Sequence, residues 1–268
     1  MAVKYGITGR MTSRSLGNGL TQTYGYYDWN EKVNNIGQGG RLEALVTGSL
    51  QNLSYVYDKV GNVKQITNSL ASETNSYDYD ELNRLTGWTL NGQTETYSYD
   101  SAGNLDLKGD LNINYDDVNH AHAASSATIG TNTNTYEYDS NGNQSTRHIG
   151  NDTFDLTYDA ENRLVEVKKN NVTIAQFTFD GDGRKVKSVV NGETIYIAGA
   201  HYEKKGSEIT KYYFSGRSRI AMRKYTIPQS MTVEYMLGDH LGSTSITTDT
   251  SGNKVSEMLY TPWGEVRY

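Results

Sequence analysis

The 268-residue chain has no cysteine and 2 prolines, which leaves neither a disulfide framework nor a Pro-rich linker. Cysteine absence suits either redox compartment and does not place the protein. No apolar run approaches the roughly 20 residues of a membrane-spanning helix, and Met1 to Tyr5 carries no apolar stretch of a signal peptide. There is no excess of positive charge either: 25 basic residues face 31 acidic ones, a net charge of -6. A sequence-independent phosphate binder needs a basic stripe to release counterions, so nucleic acid is not an expected partner. Phenylalanine is scarce, at 4 residues against 22 tyrosines, in a chain only 35% hydrophobic. The burying power of this sequence lies in tyrosine.

What is present is a repeat. An aromatic-Asp pair recurs at Tyr57-Asp58, Tyr79-Asp80, Tyr99-Asp100, Tyr115-Asp116, Tyr138-Asp139, Tyr158-Asp159 and Phe179-Asp180. The mean period is about 20 residues, near the lower end for solenoids and arrays. Three positions after each Asp stand Gly61, Asn83, Gly103, Asn119, Gly142, Asn162 and Gly183. Gly and Asn share tolerance of the left-handed region, Gly for want of a Cβ and Asn through local side-chain hydrogen bonds. Asp at the first position of a type I turn can accept from the turn's own N–H groups. The structural turn positions are therefore Asp58 and Gly61, Asp80 and Asn83, Asp100 and Gly103, Asp139 and Gly142, Asp159 and Asn162, and Asp180 and Gly183.

Before each turn the apolar side chains alternate as in a half-buried strand. Tyr55 and Tyr57, Tyr77 and Tyr79, Tyr97 and Tyr99, Tyr136 and Tyr138, and Phe177 and Phe179 share one face, while Asp78, Glu95, Ser98, Glu137 and Thr178 take the other. Second turns follow at Asn91-Gly92, Gly150-Asn151, Asn170-Asn171 and Asn191-Gly192, and Asn-Gly between alternating runs is the strongest short hairpin signal. The pattern predicts an all-β chain: one long antiparallel β-strip of tandem hairpins, running 1–268 as a single array with no linker to divide it. Only 120–127, His-Ala-His-Ala-Ala-Ser-Ser-Ala, lacks strand chemistry and reads as a loop or short helix.

These residues carry a resemblance. Tyr-Asp-x-x-Gly-Asn followed by Val or Leu resembles the YD repeat of RHS proteins, and it spans essentially the whole chain. The segment 235–268, with Gly238-Asp239-His240-Leu241-Gly242-Ser243-Thr244 and Tyr260-Thr261-Pro262-Trp263-Gly264-Glu265, resembles the start of the RHS-associated core. The resemblance implies a strip coiled as part of a hollow shell, as in bacterial polymorphic toxins, insecticidal toxin-complex BC components and teneurins. It implies a parent protein, secreted or at the cell surface, that encapsulates a C-terminal toxin cargo. Self-cleaving relatives carry an Asp-Pro processing motif; this sequence has no Asp-Pro, so neither self-cleavage nor toxicity is carried over.

The residues themselves yield no catalytic, cofactor-binding or metal set. Acid/base catalysis needs carboxylates converging in one pocket, whereas these Asp residues are spread along a sheet in equivalent turns. Asp180-Gly181-Asp182-Gly183 lacks the later oxygen ligands of a calcium loop. His120 and His122 have neither cysteine nor a third ligand at zinc-site spacing. His240 beside Asp239 and Ser243 invites a dyad reading, but no nucleophile elbow surrounds the serine. Lys204-Lys205, Arg217, Arg219 and Arg223-Lys224 form the one basic region, read as a solvated strand face.

Two functions from different classes fit. One is a non-catalytic structural shell segment that, in its intact parent, helps to enclose and deliver a toxin. The other is an extracellular carbohydrate- or receptor-binding adhesion module. Unpaired terminal strands predict self-association through sheet edges unless those edges are covered.

Overall fold

A computed structural model describes residues 2–226 and 230–267; Met1 and Tyr268, the two ends of the array read from sequence, lie outside them. The described residues form 27 strands and no helix. Two short strands, Lys32–Val33 and Ile36–Gly37, make a separate hairpin, and the other 25 make up antiparallel sheet. The all-β architecture follows from the alternation of the sequence, visible as burial of period two along Glu73–Tyr79 and Asn132–Tyr138.

The chain divides into two compact units. The first contains the residues up to Glu95, Tyr212–Tyr225 and the segment from Ser230 onward. Here strands Met11–Ser15, Thr21–Tyr26, Leu42–Thr47, Gln51–Tyr57, Val63–Asn68, Glu73–Tyr79 and Leu85–Leu90 pair antiparallel in succession. Strands Ser230–Gly238, Thr244–Thr248 and Lys254–Glu257 form a second antiparallel run. Two clusters of buried apolar side chains lie in this unit. One gathers Tyr27, Leu45, Tyr55 and Tyr57. The other joins Leu16 of the N-terminal region to Leu237 and Ile246 of the C-terminal run.

The second unit is built on Thr96–Lys211. Its strands pair in sequence order from Gln93–Tyr99 to Glu208–Ser215, each antiparallel to the next. Its buried apolar residues are mostly small or single, such as Tyr97, Ala127, Val167 and Ala175. The aromatic rows Tyr136–Tyr138 and Phe177–Phe179 stay half-buried, several under cations: Lys185 lies 5.2 Å from the Phe177 ring and Arg163 5.1 Å from Phe179.

The fourth repeat departs from the sequence reading. Asn119 is absent from the left-handed residues, and Asp117 rather than Asp116 takes the capping role, accepting from the Asn119 N–H at 2.9 Å. Two adjacent aspartates allow the turn to shift by one residue, because Asp116 is engaged by the Ser125 hydroxyl at 3.1 Å. The stretch read as loop or helix is turns up to Ala123 and then strand Ser126–Ile129.

Candidate functional site

Each turn is a small cage around a carboxylate. In the first, Asp58 N–H donates to the Asn62 carbonyl at 2.9 Å. Asp58 Oδ1 accepts from the N–H groups of Val60, Gly61 and Asn62, and Oδ2 from the Asn62 amide. The ladder closes at Tyr57↔Val63 with a register shift at Val56/Tyr57, and Gly61 stands at φ 109°. A type I turn followed by a left-handed residue and a bulge is the three-residue hairpin connection, whose bulge position demands positive φ.

The same arrangement recurs. Asp80, Asp100, Asp139, Asp159 and Asp180 each accept from the N–H four residues on. Asn83, Gly103, Gly142, Asn162 and Gly183 have φ between 58° and 90°. Asp239 and Asp249 cap two further turns in the C-terminal segment, with Gly242 and Gly252 at φ 89° and 85°.

These bonds favour the charged carboxylate. Burial alone would raise the Asp58 pKa, but the Asn62 side chain and the Gly61, Asn62 and Val60 N–H groups outweigh it and bring it below the ordinary value. The Arg84 N–H leads the same downward shift at Asp80, and the Asn143 side chain at Asp139.

Two features of the cage escaped the sequence reading. The residue four after Asp supplies a side-chain donor to the second carboxylate oxygen: Asn62, Asn104 and Asn143 through the amide, Arg84 and Arg163 through Nε at 2.7 Å. The column was legible as Asn or Arg following the Gly or Asn in six of the seven repeats, with His120 in the fourth. Successive turns are also stapled, since the Asn62 amide donates to Asn83 Oδ1 at 2.9 Å and the Asn143 amide to Asn162 Oδ1 at 3.0 Å. At Asn83 and Asn162 the asparagine thus supplies an acceptor as well as backbone freedom.

The tyrosine of the pair has its own partner. The hydroxyls of Tyr57, Tyr79, Tyr115 and Tyr138 donate to the carbonyls of Leu42, Val63, Leu105 and Ala124, 2.8 to 3.0 Å away at or just before the start of an earlier strand. Each hydroxyl ties one hairpin to its predecessor, a bond phenylalanine cannot make.

In the first unit the C-terminal segment is clasped to the N-terminal strands. Gln22 and Gln51 are 0% and 3% exposed. The Gln22 amide donates to Gln51 Oε1 at 2.7 Å, and the Gln51 amide to the Gly238 carbonyl at 3.1 Å. Buried Arg14 donates through Nε to Gln22 Oε1. The Asn18 amide reaches Thr248 Oγ1 and the Asp249 carbonyl, and Arg267 pairs with Glu73 at 2.8 Å. No motif marks these glutamines, and sequence reasoning missed them.

His240 belongs to this clasp. Its ring centroid lies 4.9 Å from that of Tyr55, a wholly buried residue, and burial of the imidazole lowers its pKa against the opposing pull of Asp239. Asp239 Oδ1 is occupied by the N–H groups of Leu241 and Ser243, so the carboxylate works as a turn cap. The remaining candidates are dispersed. His120 Nδ1 meets Asp117 at 2.9 Å, His122 Nδ1 meets Asn104 at 2.7 Å, and Asp182 faces Arg184. Among the described residues no group of three metal-ligating side chains converges. In the basic region Arg219 stacks 3.9 Å from the Tyr212 ring centroid and Lys205 pairs with Glu193.

The teneurin YD-shell family matches residues 44–268. The chain belongs to that family. It is an RHS/YD-repeat protein, 24% identical over 211 residues to teneurin-1 of Gallus gallus, covering 71% of this chain and 7% of the relative's length. Among solved structures, the Tc holotoxin pore of Photorhabdus luminescens aligns over 99% of this YD-shell chain and 15% of its own, at 20% identity and a TM-score of 0.76. A TcdB2-TccC3-Cdc42 complex aligns over 99% and 16%, at 19% identity and a TM-score of 0.75. At these identities the likeness establishes the fold. The chain spans only a small part of each of these proteins.

Proposed function

We propose that this YD-shell chain is a non-catalytic wall segment of a larger RHS-repeat protein that encloses a C-terminal toxin domain and helps to deliver it. The observation that carries the reading is the use made of its carboxylates. Eight turn aspartates, Asp58, Asp80, Asp100, Asp139, Asp159, Asp180, Asp239 and Asp249, are engaged by their own turns. They act as turn caps, and they build the hairpins of the wall. A parent protein that is secreted or at the cell surface fits this reading. Among the described residues no helix is long and apolar enough to cross a membrane.

The test is protection of cargo. The parent is produced with a tagged C-terminal domain and exposed to protease, with the free cargo as control. Cargo cut much more slowly within the parent supports enclosure, and equal rates refute it. A second reading, an adhesion module for carbohydrate or a receptor, draws on the family match to teneurins. A glycan array separates the two, since saturable glycan binding without cargo protection favours adhesion.

A further inference from the structure

In the first unit the strand Met11–Ser15 carries Arg14, with Val3 across from it on one side and Gln22 on the other. Arg14 is 6% exposed. Its Nε donates to Gln22 Oε1 at 2.9 Å, and the Tyr24 hydroxyl donates to the same oxygen at 2.7 Å. From Gln22 the network runs on through the Gln51 amide to the Gly238 carbonyl and the Ser245 hydroxyl. Both glutamine amides are matched in it, so the guanidinium is held along one edge in a fixed direction.

The other edge of the guanidinium has no such match. Among the described residues neither Nη group of Arg14 makes a hydrogen bond, and no carboxylate lies within ion-pairing distance of it. Arg267, another largely covered arginine of this unit, pairs with Glu73 at 2.8 Å. A cation taken out of water without a counter-charge is costly until an anion arrives. The Arg14 Nη groups keep a contact with solvent, unlike the Tyr55 hydroxyl, which is sealed. A small anion can reach them.

The shape of the free edge selects the anion. With Nε engaged by Gln22, the two Nη groups present parallel N–H bonds that suit the two oxygens of a carboxylate. A planar fork whose direction is fixed by a buried network favours that partner over a spherical ion. The residues that hold the fork, Gln22 and Tyr24, bring no negative charge to oppose it.

We propose that Arg14 anchors a binding site for small carboxylates, its two Nη groups donating to the two carboxylate oxygens. The site is independent of cargo enclosure, and its failure would leave that reading untouched. The probe is fluoroacetate, followed by fluorine NMR with the full chain, and fluoroacetamide is the matched uncharged compound. A saturable shift is expected with the carboxylate and none with the amide. Acetate should displace the probe, and chloride should need roughly tenfold higher concentration to do so. Arg14→Lys keeps the charge and loses the fork, so it should weaken fluoroacetate roughly tenfold, the equivalent of one charge-assisted hydrogen bond. Arg14→Met keeps the apolar stem and should abolish saturable binding. The amide and chloride arms use the unaltered chain, so the test stands even if neither variant folds. Absence of saturable fluoroacetate binding overturns the proposal. So does equal binding of the amide, displacement by chloride as readily as by acetate, or an unchanged affinity in a folded Arg14→Met chain.

Discussion

The side-chain amide of Asn62 donates to Asn83 Oδ1 across 2.9 Å, although the two residues stand 21 apart in the chain. One turn thus reads the identity of the next. Asn83 sits at φ 61°, where Gly and a few polar residues rest without strain, and Asn returns the acceptor that Gly lacks.

Substitution at this position separates the two demands. Asn83→Gly keeps the backbone and loses the staple, with an expected cost of about 0.5–1 kcal/mol. Asn83→Val adds a β-branched residue at positive φ and is expected to cost about 1–3 kcal/mol more. Urea unfolding measures both, and equal costs would mean that backbone strain plays no part.

Removing the hydroxyl from two tyrosines is expected to have opposite outcomes. Tyr79 donates to the Val63 carbonyl at 2.9 Å, so Tyr79→Phe should destabilise by about 1 kcal/mol. The Tyr55 hydroxyl is buried without a partner, so Tyr55→Phe should be neutral or stabilising. Denaturant midpoints of the paired variants check the contrast.

Gln51→Leu is expected to cost about 2 kcal/mol, because it leaves the buried Gln22 amide and the Gly238 carbonyl short of partners. Hydrogen exchange should quicken at Leu237 and Ile246 in the C-terminal run. Unchanged exchange there would show that the apolar cluster of Leu16, Leu237 and Ile246 holds the clasp without the glutamines.

Stability should fall at both ends of the pH scale. Burial holds the folded His240 pKa below its ordinary 6.5, so that contribution is complete above 6.5 and is lost as pH falls through the folded value. His240→Gln should flatten the acid limb in that range. Burial pushes Tyr57, Tyr77 and Tyr79 up to about 12 from 10.0, so their contribution is complete below pH 10 and is lost as pH rises through 12. Absorbance at the phenolate band should show these three ionising late, with the wholly buried Tyr55 held higher still. Their titration near pH 10 in the folded protein would contradict the burial.

The sequence by itself determined the hairpins. Asp58, Gly61 and Asn62 lie within five residues, and the bonds among them depend only on local chain geometry, so the same letters produce the same cage wherever they recur. Strand alternation is equally local. Even so, the repeat placed the fourth turn on Asp116, and Asp117 caps it instead, because either carboxylate can cap and Asp116 is engaged by Ser125. Tertiary structure alone decided which hairpins are covered. Gln22 and Gln51 lie 216 and 187 residues from Gly238, and Glu73 lies 194 from Arg267. Tyr55 is buried against His240 for the same reason, and no periodicity of 2 or 20 encodes that meeting. Contacts at such separations arise only once the strands have stacked and brought remote backbone within reach, and the polar groups then buried must find one another or remain, like the Tyr55 hydroxyl, without a partner.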